Sequence, residues 1–298
     1  MNTSRTQAAV AACLTDAATR IGESLMLDRQ IARLEARVLA TFAWNVPLSW
    51  LIAHDTDTLD HTQFIAFQTL LQRRLDGEPI AYITGKREFY GREFHVSPAV
   101  LIPRPETELL VELALARIPV DQAVSVLELG TGSGCIAITL TLERPLVRIT
   151  AIDRSDAALV IAQINANALH AQLEFFNSDW FTALQNRTFD LIVSNPPYVA
   201  TVGPHLDQGD VRFEPISALA AGETGMDDIQ TIIRAAHQHL TPGGSLILEH
   251  GYNQGDLTRR ALDAEGFDMP RTHQDLAGND RVSCGENPKH TPKPKMSK

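Results

Sequence analysis

Apolar residues recur at helical spacing over the first part of the chain, then change to short runs that stop at glycine, proline or a polar cap. Ile31, Leu34, Val38, Leu39 and Phe42 make one stripe, and Phe64, Phe67, Leu71 and Leu75 another. The spacing predicts amphipathic helices of a small bundle, each burying its stripe in a core. Gly77 and Pro79 close this region. Alternation from Phe89 to Val96 predicts a hairpin-like connector, with a helix starting near Pro105. Strand-like runs follow at 123–129, 147–152, 172–176, 189–194 and 245–249, and Arg281–Cys284 is expected to close the sheet. Strands alternating with helices are the pattern of a parallel sheet. The expected organisation is a helical region 1–76, a connector 77–104 and an α/β domain 105–285. A tail, 286–298, carries four lysines and three prolines with almost nothing apolar, which predicts disorder.

Composition narrows the function classes. At 298 residues and 44% hydrophobic, the chain can bury the core of one large domain and one small one. A net charge of -10 disfavours unaided binding along a phosphate backbone, so no direct nucleic-acid partner is expected. Lys86, Arg87, Arg92 and Arg104 cluster as a local exception, either a partner contact or a solvated face. Cys13, Cys135 and Cys284 are an odd number without metal-like spacing, which suits a reducing cytoplasm and predicts no metal site. His237 and His239 lie two apart on an expected helix and point in different directions, as packing or surface histidines do. No apolar run approaches the roughly 18 residues of a membrane span, and the short run Ala8–Leu14, closed by Asp16, reads as an amphipathic first helix rather than a leader.

Candidate chemistry begins where the run 123–129 meets Gly130-Thr131-Gly132-Ser133-Gly134 and then Cys135-Ile136-Ala137-Ile138-Thr139-Leu140. A strand, a glycine loop and a helix in that order let backbone approach a nucleotide-like cofactor. The third glycine follows the second too soon for a dinucleotide fingerprint. Glu128 stands in front of the loop, where a carboxylate repels a pyrophosphate but suits a cofactor with a cationic amino-acid end, as S-adenosyl-L-methionine has. Asp153 ends the next strand, at the distance along the chain where an acidic side chain accepts from ribose hydroxyls. Arg154 beside it keeps an NADP reading open. Asp179 and Trp180, after the third strand, can border an adenine as acceptor and apolar wall.

The run Phe189–Ser194 ends in Asn195-Pro196-Pro197-Tyr198. An amide or aromatic amine nitrogen is a poor nucleophile because its lone pair is delocalised. Holding both N–H bonds on acceptors aims that lone pair. Asn195 offers a side-chain carbonyl, and Pro196, which has no N–H, offers a backbone carbonyl without a competing donor. The paired prolines set the loop before substrate arrives, and Tyr198 supplies a flat face. Alignment alone is worth effective molarities of about 10^5 to 10^8 M, so no strong base is required.

Together with Gly77–Gly85, Phe89-Tyr90-Gly91 and Leu101–Glu108, these motifs occur in an order that resembles the protein-(glutamine-N5) methyltransferases acting on peptide chain release factors. The resemblance covers nearly all of 6–284. It implies a doubly wound, mostly parallel, seven-stranded S-adenosylmethionine-dependent methyltransferase domain with a small N-terminal helical bundle. It further implies cofactor contacts at Gly130, Thr131, Gly132, Ser133, Gly134, Asp153, Trp180 and Asn195. Catalysis and substrate binding would fall to Asn195, Pro196, Pro197 and Tyr198. The implied substrate is the glutamine of the release-factor Gly-Gly-Gln motif, with a soluble partner protein and no membrane. A sister family methylating a ribosomal-protein glutamine shares these catalytic residues, although Pro103–Glu108 resembles the release-factor group more closely. Adenine N6 methylation of nucleic acid, which also needs a planar NH2 held, remains the alternative of a different class.

Overall fold

A computed structural model describes residues 9–202, 206 and 209–289, and they fall into two compact units. The first contains residues 9–86 together with 209–213, and the second contains 87–202 and 214–289.

Five helices build the first unit: α1 (Val10–Leu25), α2 (Arg29–Trp44), α3 (Leu48–Ala53), α4 (His61–Leu75) and α5 (Ile80–Thr84). Their ends follow local chemistry. Asp28 caps α2 by accepting from Gln30 N–H, and Asp60 and Gln63 form a reciprocal capping box at α4. Phe67 and Leu71 of the α4 stripe are buried as expected. The α2 stripe is corrected. Ile31, Leu34 and Phe42 are 49%, 59% and 46% exposed, and the face turned inward carries Ala32, Ala36, Leu39, Ala40 and Trp44. Small residues let a neighbouring backbone come close: Ala32 Cβ lies 3.6 Å from where a side chain on Gly22 of α1 would begin. Trp44 anchors this face, its indole N–H donating to Gln63 O at 2.9 Å and its ring packing on Phe67. One charged side chain is buried here. Arg74 of α4 makes a two-pronged pair with Glu35 (2.8 and 3.0 Å) and donates to Asp210 at 2.8 Å, so α2, α4 and the segment 209–213 meet on one guanidinium.

In the second unit the connector is the expected hairpin, β1 (Lys86–Phe89) paired with β2 (Arg92–His95) around Tyr90 and Gly91. The short 3-10 turn Pro105–Thr107 then leads into α6 (Glu108–Leu115). A seven-stranded sheet follows. Its strands are β3 (Ser125–Leu129), β4 (Arg148–Asp153), β5 (Glu174–Asn177), β6 (Phe189–Ser194), β7 (Leu240–Glu249), β8 (Asp268–Gln274) and β9 (Asp280–Glu286), in spatial order β5-β4-β3-β6-β7-β9-β8. Five strands are parallel, and β9 runs antiparallel to both β7 and β8. The expected sheet-closing role of Arg281–Cys284 is therefore corrected: β9 lies inside the sheet and β8 forms its edge. Glu286, assigned by sequence to the tail, pairs with Ser245, and Asn287 carries hydrogen bonds to Leu240 O, Thr241 O and Gly243 N–H. Residues 290–298 of that expected tail lie outside the described residues.

Side chains of the central strands alternate between two cores. Val126, Leu191 and Val193 pack with α6 and α7 (Cys135–Glu143), while Leu127, Leu129 and Ile192 pack with α9 (Asp227–Ala236) and Leu262 of α10 (Gly255–Ala264). Helices thus cover both faces, which explains why these strands read as continuous apolar runs. α8 (Asp156–Ala168) packs beside β4 and β5. His237 and His239 form a 3-10 turn and stack on Phe267 and Phe181, the packing role expected of them. Among the described residues, no helix is long and apolar enough to cross a membrane.

Candidate active site

The strand order reverses between β3 and β6, and ligands of doubly wound sheets bind at the carboxyl ends of strands beside such a point. Leu129 and Ser194 are register partners there, tied further by Ser194 Oγ donating to Leu129 O at 2.8 Å. The glycine loop and the Asn-Pro-Pro-Tyr loop therefore leave the sheet side by side. A cleft of about 910 Å³, open mouth included, lies between them. It is lined by Gly130, Thr131, Gly132, Ser133, Asp153, Asp179, Trp180, Asn195 and Pro197 among others.

The loop 130–134 turns on glycines with φ of +71°, +54° and +81° at Gly130, Gly132 and Gly134. Gly134 does not line the cleft. A side chain there would begin 2.9 Å from Ile138 Cδ1 and 3.2 Å from Ala162 Cβ, so this glycine lets α7 and α8 pack closely. Asp153 fixes the loop from β4: one carboxylate oxygen accepts Gly132 N–H and the other Ser155 N–H, both at 2.9 Å. Each oxygen keeps a lone pair for a further donor. Arg154 donates to Ser217 O at 3.0 Å, which engages the group that kept the NADP reading open.

Glu128 is buried behind the loop. Its Oε2 accepts from the Thr131 hydroxyl (2.6 Å) and from Ala137 N–H (3.2 Å), while Oε1 has no partner. Burial pushes its carboxyl up to about 8, against the pull of those two donors. A buried carboxylate with an orphaned oxygen fits a cation, and the residues of this loop thus fit a cofactor whose amino-acid end is positively charged.

Just past the end of β6, Asn195 Nδ2–H donates to Thr107 Oγ1 at 3.2 Å. Its Oδ1 and the Pro196 carbonyl take no protein donor among the described residues. Pro196 and Tyr198 do not line the cleft itself. Tyr198 is held through both ends, its hydroxyl donating to Glu249 Oε1 at 3.2 Å and its carbonyl accepting from Gln254 Nε2 at 3.0 Å. After the loop, Val199 pairs with Ala220 as an isolated parallel bridge, bringing Pro215, Ser217 and Ala218 to the cleft wall. Glu214, buried, accepts from Ile102 N–H and pairs with Arg104, so that residue of the basic cluster is engaged internally. Arg92 likewise pairs with Glu143, and Arg87 donates to Pro103 O.

Sequence reasoning assigned no site role to Glu249, quoted Thr107 only as part of the Leu101–Glu108 motif, and took Glu214 only as the start of an extended stretch that covers the site. Glu249 carries the same signal as Glu128, a carboxylate at the end of an apolar strand. Thr107 and Glu214 have no comparable local signal.

The chain is similar to several known proteins. The Methyltransferase small domain family matches residues 106–209, and the PrmC N-terminal domain family matches 17–85. The release factor glutamine methyltransferase of Salmonella typhimurium is 47% identical over 87% of this chain and 93% of its own length. That of Pseudomonas aeruginosa is 44% identical over 92% of this chain and 99% of its own length. A crystal structure of a methyltransferase from Pyrococcus furiosus shares the fold, with a TM-score of 0.52 at 17% identity over 74% of this chain and 99% of that one.

Proposed function

Because the chain belongs to the release factor glutamine methyltransferase family, we propose that it methylates N5 of the glutamine in the Gly-Gly-Gln motif of peptide chain release factors, using S-adenosyl-L-methionine. The observation that carries the assignment of residues is the state of the Asn195 amide. Its nitrogen is occupied by Thr107, leaving Oδ1 and the Pro196 carbonyl as two acceptors at the end of β6, next to the glycine loop of β3.

When bound, S-adenosylmethionine supplies a methyl group on a positively charged sulfur. Glu128 would meet its cationic end and Asp153 its ribose hydroxyls, with Trp180 beside the base. Asn195 Oδ1 and the Pro196 carbonyl hold the two N–H bonds of the glutamine carboxamide, so its lone pair is aimed out of the amide plane. As the nitrogen gains the methyl, its N–H groups become more acidic and these two hydrogen bonds strengthen, which stabilises the transition state more than the ground state, and one of the two protons is released to water to leave the neutral N5-methyl amide. Tyr198 and Pro197 shape the slot for the planar group. Residues 1–76 are assigned to recognition of the release-factor body, supported by the exposed Ile31, Leu34 and Phe42 stripe. With a substrate that works on the ribosome, the cytoplasm is the location proposed for the enzyme.

The test is to incubate the purified chain with methyl-labelled cofactor and a release factor, then locate the label by peptide mass spectrometry. Label on the Gly-Gly-Gln glutamine is expected. Label on a ribosomal protein or on nucleic acid, with none on the release factor, would overturn the proposal.

A further inference from the structure

Pro196 and Pro197 have no N–H, so the Asn-Pro-Pro-Tyr loop cannot tie itself down through backbone donors at these two positions. What holds it sits at its far end. Gln254, 5% exposed, stands just before α10 on a fixed base: its backbone N–H donates to Gly251 O, and its carbonyl accepts from Thr258 N–H and from the Thr258 hydroxyl, all at 2.9 Å. The side-chain amide makes three more hydrogen bonds. Oε1 accepts from Gly251 N–H at 2.8 Å, and Nε2 donates to Tyr198 O at 3.0 Å and to Thr224 O at 3.3 Å. Only one orientation of the amide serves all three, because turned over it would set its NH2 against the Gly251 N–H and its oxygen against two carbonyls. The turn ahead of α9 presses on the same point. A Cβ at Gly225, whose φ is +74°, would begin 2.2 Å from Tyr198 O and 2.8 Å from Gln254 Nε2.

Resting on the function proposed above, we propose that Gln254 is a positioning residue for methyl transfer: its amide fastens the Tyr198 carbonyl between the β7–α10 turn and the turn before α9, and so sets where the Pro196 carbonyl and Asn195 Oδ1 meet the substrate amide. The paired prolines stiffen the loop, so a shift at Tyr198 carries back to Pro196 instead of being absorbed on the way. The bond from the Tyr198 hydroxyl to Glu249 Oε1 at 3.2 Å anchors the ring end of that residue and leaves its carbonyl to Gln254. Neither Gln254 nor the turn 222–225 lines the cofactor cleft. Losing the clasp therefore acts on the chemical step and spares cofactor binding.

The experiment measures kcat and KM for a release factor at saturating cofactor, with cofactor Kd by calorimetry and melting temperature beside them. Gln254→Met keeps the length and makes none of the three side-chain bonds. Gln254→Glu keeps the shape and the acceptor for Gly251 N–H but, ionised or not, cannot donate to both carbonyls. Both should lower kcat by about 10-fold to 10^2-fold, the cost of misplacing reacting groups by about 1 Å, with KM and cofactor Kd each changed less than about threefold. Gly225→Ala leaves Gln254 untouched and pushes on Tyr198 O from the other side; it should show the same loss confined to kcat, which keeps the clasp testable if the Gln254 variants fail to fold. Wild-type kcat in Gln254→Glu would overturn the inference, since the Gly251 bond alone would then suffice. So would a cofactor Kd that rises as far as kcat falls, or a folded Gly225→Ala with normal turnover. Absence of transfer by the wild-type chain would instead sink the proposed function, and the inference with it; wild-type transfer with indifferent variants sinks the inference alone.

Discussion

Replacing Glu128 with glutamine should make the ligand-free protein more stable and its cofactor binding weaker. The carboxyl titrates at an ordinary 4.5 in the unfolded chain and is pushed to about 8 when folded. Between those values the folded state holds a proton that the unfolded state has released. Stability is therefore present in full below the unfolded value and is lost as pH rises toward the folded one. At about 1.4 kcal/mol per pH unit, the loss between pH 4.5 and pH 7 is roughly 3 kcal/mol. Glutamine mimics the protonated acid and does not titrate. The stability gap between Glu128→Gln and wild type should thus widen by roughly 3 kcal/mol over that interval, as measured by urea unfolding without cofactor. Cofactor affinity should fall by about 10-fold to 10^2-fold, because hydrogen bonds to charged partners are worth about 1.5–3 kcal/mol. A gap that stays constant with pH would refute the buried, proton-holding carboxyl, and unchanged cofactor affinity would refute its role toward a cation.

Three further outcomes follow from other contacts. Asn195→Ala should lower kcat by about 10^2-fold or more, and near-normal turnover in the folded variant under steady-state kinetics would remove Asn195 from its role. Gly134→Ala combines a left-handed backbone with contacts of 2.9 and 3.2 Å to Ile138 and Ala162, and should destabilise the second unit by about 2–5 kcal/mol in denaturant unfolding. Arg74→Met leaves Glu35 without its buried partner while Asp210, 44% exposed at its side chain, can rehydrate, so a loss near about 3 kcal/mol is expected in the same assay.

The chemistry was legible because it sits where the chain changes state. Glu128–Gly134 and Asn195–Tyr198 stand at the carboxyl ends of β3 and β6, where a mostly apolar run stops, and the break itself carries the motif. What stayed hidden was of two kinds. β8 reads Asp-Met-Pro-Arg-Thr-His-Gln, an edge strand with little to bury, so it lacks the alternation that marks a strand. The inner face of α2 is mostly alanine, and hydrophobic spacing favoured the larger Ile31, Leu34 and Phe42, which face outward. Thr107 and Glu249 belong to the site only through hydrogen bonds to Asn195 and Tyr198, partners far away along the chain, and periodicity is blind to such links. The loop positions of Gly130, Thr131 and Ser133 beside the cleft, by contrast, follow from sequence order once the sheet order is known.

Residues 209–213 belong to the first unit although the chain on either side of them belongs to the second. The polypeptide therefore returns to the first unit after leaving it, and severing it once, near residue 86, leaves the bundle of residues 9–86 joined to 209–213 by non-covalent contacts alone. A gene fragment ending there encodes a bundle in which Arg74 has lost Asp210, and the complementary fragment carries a stretch evolved to be clasped by a guanidinium it no longer has. Nicked protein should copurify as a single species, held by the pairing of Arg74 with Asp210 and by Arg212 donating to Asp76 O.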